Sequence, residues 1–350
     1  MNKFKKFQKS IFFLLFLIVG CGLFINTVYN SGFDNIIKAL KEFSLIKFLF
    51  FVALSFLNFY LYTLRWDLIV KALFKEKKIP FSSIFLHRSA GYAISYVTPT
   101  AQLGGEPLRI MLLEEEGVPR QIAASSTVID KALELAALLF FVGIGICVAF
   151  FDGSVPPEGR TVMLIALIFM ILAVFWFYYT SIKNIGFITS ILSILQIKRI
   201  KKLQGFEEKI RNFEQEMNCF YKEHKKLVVK LIIISLLTTL FLLVEHYLVA
   251  RFMGVKLTFT QLFIASTVPY IAYMMPVPGG LGLLESGHAA IFAVMGVSIN
   301  AFVFVFIIRL RDFIFVLIGL AHASKKGLAM IKKDFKEEYW QIVSNACILG

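Results

Sequence analysis

Long apolar runs alternate with short basic segments along most of the chain. Because a transmembrane helix needs about 20 predominantly apolar residues, each long run is a candidate span. Six runs reach or approach this length: 11–28, 45–64, 123–151, 161–180, 227–250 and 301–322. The pattern predicts an all-α polytopic membrane protein with about six full transmembrane helices.

Two further apolar segments end at breaks rich in proline and glycine. In each break a proline stands seven positions before a glutamate: Pro99 before Glu106, and Pro278 before Glu285. Proline removes a backbone donor and glycine is a poor helix former, so neither break continues a helix. Two half-length helices joined by such a turn enter and leave the membrane on one side, which predicts two re-entrant hairpins. The apolar segments that lead into the breaks are 81–97 and 258–275.

The basic residues predict which side of the membrane each loop faces. Segment 183–230 holds eleven Lys or Arg residues, and a lysine-rich stretch precedes the first span, so the positive-inside rule assigns both to the cytoplasm. A further basic loop, beginning at Arg65, is also expected inside. Both termini are then cytoplasmic, and the two hairpins open to opposite faces of the membrane.

The opposite orientation of the hairpins predicts an inverted-topology repeat, an arrangement that many transporters build around a binding site. The first half covers about residues 45–151 and the second about 227–322, within a single transmembrane domain of residues 1–325. A cytosolic amphipathic helix over about 198–226 joins the halves, either lying on the bilayer or packed on the protein. Residues 326–350 are expected to form a cytosolic tail.

Composition supports the membrane assignment and excludes several classes of function. Of the 350 residues, 58% are hydrophobic and 17% are charged, which is far from the composition of soluble domains. The net charge of +14 comes from segments between spans, which argues against nucleic-acid binding. The four scattered cysteines form no CxxC pair, and neither a GxxxxGK(S/T) nor an HExxH pattern occurs, so no metal or cofactor is expected.

Ionisable side chains near the breaks are the candidates for chemistry, because each costs about 2.5 to 3.5 kcal/mol to insert in a membrane. Glu106 either caps the second arm of its hairpin or serves as a ligand or proton site, and Glu285 presents the same alternatives. Arg109, one turn after Glu106, either forms a salt bridge with it or binds an anion such as phosphate. Arg309 is expected to face inward.

Other charged residues have structural interpretations beside functional ones. Arg311 is expected to pair with Asp312, its neighbour in sequence. Glu245 and His246 are interpreted as a packed polar pair, with a proton relay as the alternative. Asp130 lies near the inner end of its span, where structural pairing and contact with a lipid headgroup both remain open.

Two glycine-glutamate blocks, with Asp130 and Arg309 beside them, resemble a known family. The blocks read Gly104-Gly105-Glu106-Pro107-Leu108-Arg109 and Pro276-Val277-Pro278-Gly279-Gly280-Leu281-Gly282-Leu283-Leu284-Glu285. Over about residues 10–325 they resemble the family named for the transmembrane region of lysylphosphatidylglycerol synthase, also described as flippase-like. The resemblance implies lipid translocation in a bacterial or archaeal cytoplasmic membrane.

The two oppositely oriented hairpins, whose half-helix starts and arginines are expected to meet near the membrane midplane, predict a lipid-binding site at these positions. Glu106 and Glu285 would gate or bind, while Arg109 and Arg309 would hold a phosphate. The full set of expected substrate-binding residues is Gly104, Gly105, Glu106, Arg109, Asp130, Pro278, Gly279, Gly280, Gly282, Glu285 and Arg309.

The leading hypothesis is a translocator that moves an anionic phospholipid or lipid-linked headgroup between leaflets. One alternative is a membrane subunit or homologue of phosphatidylglycerol lysyltransferase, which would need a partner domain because no cytosolic stretch here is long enough to be catalytic. The other is a secondary transporter of small anions. The expected partner is a membrane phospholipid or polyprenyl-linked lipid; a cytosolic lipid-modifying enzyme and a second copy of the chain, as in a homo-oligomer, remain open.

Overall fold

The computed structural model describes residues 44–98, 103–151, 217–275 and 277–348, together with isolated positions between 25 and 37, between 168 and 179, and at 215. The described residues form helices joined by short turns, and no strand is found among them. Several predictions fall outside the described residues, apart from isolated positions: the spans at 11–28 and 161–180, most of the helix at 198–226, positions 99–102 of the first break, and Pro276.

Eight α-helices are described in these ranges, besides the helical residues 217–223. They are α1 (Leu45–Leu73), α2 (Phe81–Val97), α3 (Glu106–Glu115), α4 (Arg120–Phe151), α5 (Lys225–Phe252), α6 (Phe259–Met274), α7 (Leu283–Val294) and α8 (Ala301–Ile348). A short 3₁₀ turn, Pro278–Gly280, lies between α6 and α7. The all-α fold class is confirmed for the part of the chain that the structure describes.

Three of the described helices are long and apolar enough to cross a membrane: Leu45–Leu73, Arg120–Val148 and Lys225–Phe252. They correspond to the predicted spans that begin at positions 45, 123 and 227. The predicted span at 301–322 forms the first part of α8, where Arg309, Arg311 and Asp312 interrupt the apolar sequence. The charged residues inside this helix therefore need partners within the fold.

Both predicted helix breaks are present in the structure. Residues 98–105 separate α2 from α3, and residues 275–282 separate α6 from α7. In the second break Gly279, Gly280 and Gly282 have φ values of 55°, 58° and 77°. This left-handed region is open to glycine without a steric penalty, so the glycines permit the turn.

Glycines also let α2 approach its neighbours at backbone distance. A Cβ atom at Gly105, just before α3, would lie 1.8 Å from the carbonyl oxygen of Gly91 in α2. A Cβ atom at Gly319 in α8 would lie 2.0 Å from the carbonyl oxygen of Ser89. Both distances are far below van der Waals contact. Helix α2 is therefore held tightly between the first break and α8.

One segment expected to be a basic loop is part of a helix. The sequence pattern assigns Arg65 to a cytoplasmic loop, but α1 continues through it to Leu73 and the Arg65 side chain is fully buried. Trp66 and Ile69, which follow it, are fully buried as well. The loop assignment is wrong because carboxylates on α4 neutralise this arginine, so its charge does not mark the end of the buried helix.

The described end of the predicted amphipathic helix packs on the protein. Residues 217–223 are helical, and Met217 and Phe220 belong to a buried cluster with Ile69 of α1 and Leu133 of α4. Of the two arrangements expected for this helix, packing against the bundle is the one observed at its described end.

Candidate functional site

A cavity of about 470 Å³ lies among α1 to α6 and α8, within the size range of small-molecule sites. Much of its wall is aromatic or aliphatic. This part of the wall includes Phe59, Tyr62, Tyr92, Leu135 and Phe315. Charged side chains line it as well. The cations are Arg88, Arg109, Lys131 and Arg311, and the acids are Glu106, Glu134, Glu245 and Asp312. The cavity is therefore amphipathic.

Asp130 of α4 is the centre of the first ion-pair cluster, and it is fully buried. Its Oδ1 accepts a hydrogen bond from Arg65 Nε at 2.7 Å, and its Oδ2 accepts from Arg88 Nη1 and Arg109 Nη2, both at 2.8 Å. These three arginines lie on α1, α2 and α3. A single carboxylate therefore joins four helices through charge-assisted hydrogen bonds.

Glu134, on the same face of α4, is the second acceptor of this cluster. Its Oε2 accepts from Arg65 Nη2 at 3.2 Å and from Arg88 Nη2 at 3.4 Å, while its Oε1 accepts from Lys131 Nζ at 2.8 Å. The Glu134 side chain is 29% exposed, so the cluster is deepest at Asp130 and opens toward the cavity at Glu134.

Arg109 of α3 makes side-chain hydrogen bonds through two of its three guanidinium nitrogens. Its Nη1 donates to Glu106 at 2.8 Å and its Nη2 to Asp130, while its Cζ lies 3.9 Å from the centre of the Trp66 ring. Among the described residues, its buried Nε has no hydrogen-bond partner. The Arg109 side chain lines the cavity, so its guanidinium is a candidate donor to a ligand there.

The first cluster carries a net positive charge. Its cations outnumber its carboxylates by one, since four of the former face three of the latter. The members are Arg65, Arg88, Arg109 and Lys131 against Glu106, Asp130 and Glu134. An anionic group bound beside Arg109 would balance this excess.

A second charged cluster lines the same cavity from α5 and α8. Arg311 Nη1 donates to the Glu245 carboxylate, and Arg311 Nε lies 2.9 Å from Asp312 Oδ1. The expected pairing of Arg311 with Asp312 is thus observed. Glu245 pairs with Arg311 rather than with His246, whose Nδ1 contacts a backbone carbonyl oxygen of its own helix. This cluster has one cation and two carboxylates, and so an excess of one negative charge.

Arg309 of α8 holds the second break together by hydrogen bonds. Its Nε and Nη2 donate to the Glu285 carboxylate at 2.6 and 3.1 Å. Its Nη1 donates to the Gly279 carbonyl at 2.8 Å and to the Tyr96 hydroxyl at 3.0 Å, and its Nη2 donates also to the Gly280 carbonyl at 3.2 Å. These five hydrogen bonds use all five N–H groups of the guanidinium.

Glu285 and Glu106 have different partners although they occupy matching positions in the two breaks. Glu285 accepts from the backbone N–H of Gly282 at 2.9 Å, so it caps α7 in addition to binding Arg309. Glu106 forms the salt bridge with Arg109 that the sequence offered as one alternative. The capping interpretation therefore describes Glu285, and the ion-pair interpretation describes Arg109 with Glu106.

The structure brings part of the predicted site together at the cavity. Glu106 and Arg109 line the cavity. Asp130 does not line it but accepts a hydrogen bond from Arg109. Gly104 and Gly105 form the turn before α3. Within the described ranges, none of the predicted residues of the second half lines the cavity: Pro278, Gly279, Gly280, Gly282, Glu285 and Arg309.

Tyr96 of α2 connects the two groups of predicted residues. Its hydroxyl binds Arg309, and a Cβ atom at Gly279 would lie 2.8 Å from its Cε1. The second break therefore packs directly on the arm that leads into the first break, although only the first break reaches the cavity.

Sequence reasoning missed the functional context of four residues: Arg65, Arg88, Glu245 and Arg311. All are charged residues inside helices, and each is paired with an opposite charge on another helix. The signal available was their cost in an apolar segment, which requires a partner somewhere in the fold. Which partner each has could not be found, because Arg311 and Glu245 are 66 positions apart.

Comparison with known proteins agrees with the membrane assignment. A family described as the lysylphosphatidylglycerol synthase TM region matches residues 11–319. The chain is similar to a UPF0104 membrane protein of Methanothermobacter thermautotrophicus, with 25% identity over 297 residues that cover 81% of this chain and 86% of the relative. A UPF0104 membrane protein of Methanocaldococcus jannaschii is 30% identical over 132 residues, which are 36% of this chain and 38% of that protein. Together with the apolar helices, these matches indicate a multi-pass membrane protein.

Proposed function

Because this chain belongs to the lysylphosphatidylglycerol synthase transmembrane family, we propose that it translocates a phospholipid or lipid-linked headgroup between the leaflets of the cell membrane. The observation that carries the proposal is the cavity, in which buried ion pairs stand within aromatic and aliphatic walls. A lipid headgroup with its first acyl carbons has the same mixture of charge and apolar surface. The anionic phosphate is the group that the cavity would recognise.

The phosphate is assigned to the first cluster. Arg109 supplies the unpartnered Nε, and Arg88, which lines the cavity beside it, supplies a second guanidinium. Two guanidinium groups offer planar forks of donors that match the oxygens of a phosphate. Asp130 and Trp66 hold Arg109 in place by an ion pair and by ring stacking. They are positioning residues, not ligands.

Glu106 acts as the gate of this site. Its carboxylate occupies one donor of Arg109 and is 20% exposed, so a phosphate entering the cavity competes with it. Arg309 and Glu285 are assigned a different role, because their hydrogen bonds close the second break. They hold the backbone of the second break in place, while the first break is the one that interacts with the ligand.

The membrane topology that we propose has six full spans and two re-entrant hairpins that open to opposite faces, with both termini in the cytoplasm. It is supported by two helix breaks with the same spacing from proline to glutamate, each flanked by helices of 10 to 17 residues. Single cysteines at Leu103 and Met275, both exposed at the breaks, test it in a variant without the four native cysteines. Labelling of the two positions from one side of the membrane only would contradict the opposite orientation.

Translocation is tested with purified protein in liposomes that contain fluorescent phospholipids, using dithionite to quench the outer leaflet. We expect the protein to accelerate transfer, and Arg109→Gln to reduce the rate about tenfold, because one charged hydrogen bond is lost. Arg120→Gln is the matched control: Arg120 lies at the start of α4 and its side chain is 81% exposed. An equal loss in both variants, or no acceleration by the wild type, would contradict the proposal.

A secondary transporter of small anions is the rival that the same cluster supports, because a free phosphate could use the same donors. Uptake of radiolabelled inorganic phosphate into protein-containing liposomes distinguishes the two. We expect uptake at the rate of protein-free liposomes. Uptake that depends on Arg109, without lipid transfer, would favour the rival.

A further inference from the structure

We infer that the headgroup carried in the cavity is a zwitterion, a phosphate linked to a primary ammonium group. The inference rests on the proposed function and names its substrate class. It follows from the two charged clusters that line the cavity, because they differ in the sign of their excess charge and because the second cluster lies beside buried acceptors without a donor.

The first cluster offers donors and a positive excess. Arg109 Nε is buried and, within the described part of the chain, unpartnered, and the cluster has one more cation than carboxylate. A phosphate diester carries one negative charge and only acceptor atoms. It therefore matches this end of the cavity in charge and in hydrogen bonding.

The second cluster offers acceptors and a negative excess. Oε1 of Glu245 is buried and has no hydrogen-bond partner among the residues that the structure describes, and the same holds for Oδ1 of Asn58 on α1. Ser55, beside them, donates its hydroxyl to the Phe51 carbonyl oxygen at 3.0 Å. A buried carboxylate oxygen without a donor is destabilising, so a donor is expected to occupy this position.

A primary ammonium group fits this second end better than the alternatives do. It carries one positive charge and three N–H donors, which can reach Glu245 and Asn58 together. A glycerol or sugar headgroup supplies hydroxyl donors but leaves the negative excess unbalanced. A quaternary ammonium supplies the charge but has no N–H to donate.

The charge of the whole cavity supports the same class. The eight charged residues that line it are four cations and four acids, and the Arg65–Asp130 pair behind them adds one of each sign. A ligand with a net charge would bring an uncompensated charge into this buried space, which is costly. A zwitterion leaves the total at zero and balances each end separately.

The test compares three fluorescent lipids with identical acyl chains in liposomes that contain the full-length protein. They are phosphatidylethanolamine, phosphatidylcholine and phosphatidylglycerol. We expect phosphatidylethanolamine to be transferred about tenfold faster than either of the others, the factor that corresponds to one charged hydrogen bond. Equal rates for the three lipids, or faster transfer of phosphatidylglycerol, would overturn the inference.

The second readout is the ratio of the phosphatidylethanolamine rate to the phosphatidylglycerol rate in variants. Glu245→Gln removes the negative excess and is expected to lower this ratio about tenfold. Glu114→Gln is the matched control, since Glu114 lies on α3 away from the cavity and pairs with exposed Arg120 at 3.7 Å; it should leave the ratio unchanged. An unchanged ratio in Glu245→Gln contradicts the assignment of the ammonium to this end.

A folding defect in Glu245→Gln would be recognised by size-exclusion chromatography. Asn58→Leu then replaces it, because it removes an unpaired acceptor and leaves the ion pair of Glu245 with Arg311 intact. The same fall in the ratio is expected. If phosphatidylglycerol moves and phosphatidylethanolamine does not, only the headgroup class is wrong, whereas no transfer of any lipid rejects the proposed function itself.

Discussion

Replacing Asp130 by asparagine removes the carboxylate on which the first cluster depends. Asparagine keeps the shape of the side chain, but it substitutes an amide NH₂ for one of the two acceptor oxygens. In the orientation that keeps the bond from Arg65 to Oδ1, the new NH₂ faces Arg88 Nη1 and Arg109 Nη2, which both donate to Oδ2 at 2.8 Å in the wild type. Three donor groups then meet where one acceptor stood.

The free energy of unfolding should fall by about 3 to 5 kcal/mol. Two hydrogen bonds to a charged acceptor are lost, each worth about 1.5 to 3 kcal/mol, and a broken buried ion pair costs a similar total. The positive excess of the cluster also rises from one charge to two. No solvent screening offsets this, because Asp130 is fully buried.

Unfolding of the detergent-solubilised protein by heat, followed by size-exclusion chromatography with fluorescence detection, measures the loss as a fall in the melting temperature. Asp67→Asn is the matched control, because Asp67 pairs with one lysine whose side chain is 53% exposed, and we expect it to lose about 1 kcal/mol or less. Adding Arg65→Gln to Asp130→Asn should recover part of the loss, since it removes one of the uncompensated charges.

Equal melting temperatures of Asp130→Asn and Asp67→Asn would contradict this role of Asp130. A loss in the double variant of Asp130 and Arg65 equal to the full sum of the two single losses would contradict it as well. Either result would mean that the arginines do not depend on Asp130 for their neutralisation.

Three further changes are expected to destabilise the protein, each measured by the same melting assay. Gly105→Ala should lower stability by about 2 kcal/mol or more, because its Cβ atom would lie 1.8 Å from the Gly91 carbonyl oxygen. Gly145→Ala is the control, because the Cβ atom there would come no closer than 3.4 Å to its nearest neighbour, Phe263. Equal melting of the two variants would contradict the contact. Arg309→Lys should lower the free energy of unfolding by about 3 kcal/mol or more, since a single ammonium cannot replace five donors in one plane. A melting temperature equal to that of the wild type would contradict the role of Arg309 in holding the second break. Tyr96→Phe should cost about 1 kcal/mol for one hydrogen bond, and a larger loss than in Arg309→Lys would contradict the ranking.

The helix breaks could be predicted from sequence because their cause is local. Proline and glycine act on the backbone at their own positions, and the structure has its breaks at residues 98–105 and 275–282 as expected. The positive φ values of Gly279, Gly280 and Gly282 show the same local cause.

The ends of the apolar helices were harder to predict, as Arg65 shows. An arginine next to an apolar run normally marks its end, and the positive-inside rule then assigns it to a loop. Here Asp130 and Glu134 on α4 neutralise Arg65 within the bundle, so α1 continues past it. The neutralising residues are more than 60 positions away, and no local sequence pattern indicates which residues they are.

The candidate site could be predicted only in part, because the partners of a buried charge lie far away in the sequence. Glu106, Arg109 and Asp130 were found because they are costly charges near a break, and they do meet at the cavity. Glu285 and Arg309 were found by the same rule, but their partners are carbonyl groups of the second turn and Tyr96 from α2. The rule detects that a buried charge is compensated and does not say whether the partner is protein or ligand.

The two breaks therefore differ in what they are able to do, although they share the spacing from proline to glutamate. Releasing Arg309 would break five hydrogen bonds at once, two of them to the Glu285 carboxylate that caps α7. Releasing Arg109 from Glu106 breaks one ion pair whose carboxylate is 20% exposed, and Asp130 still holds the guanidinium. A phosphate can repay that single loss, because Arg109 Nε is an unpaired donor within the described residues. The first break is thus the one that a headgroup can open, with the second as its fixed support.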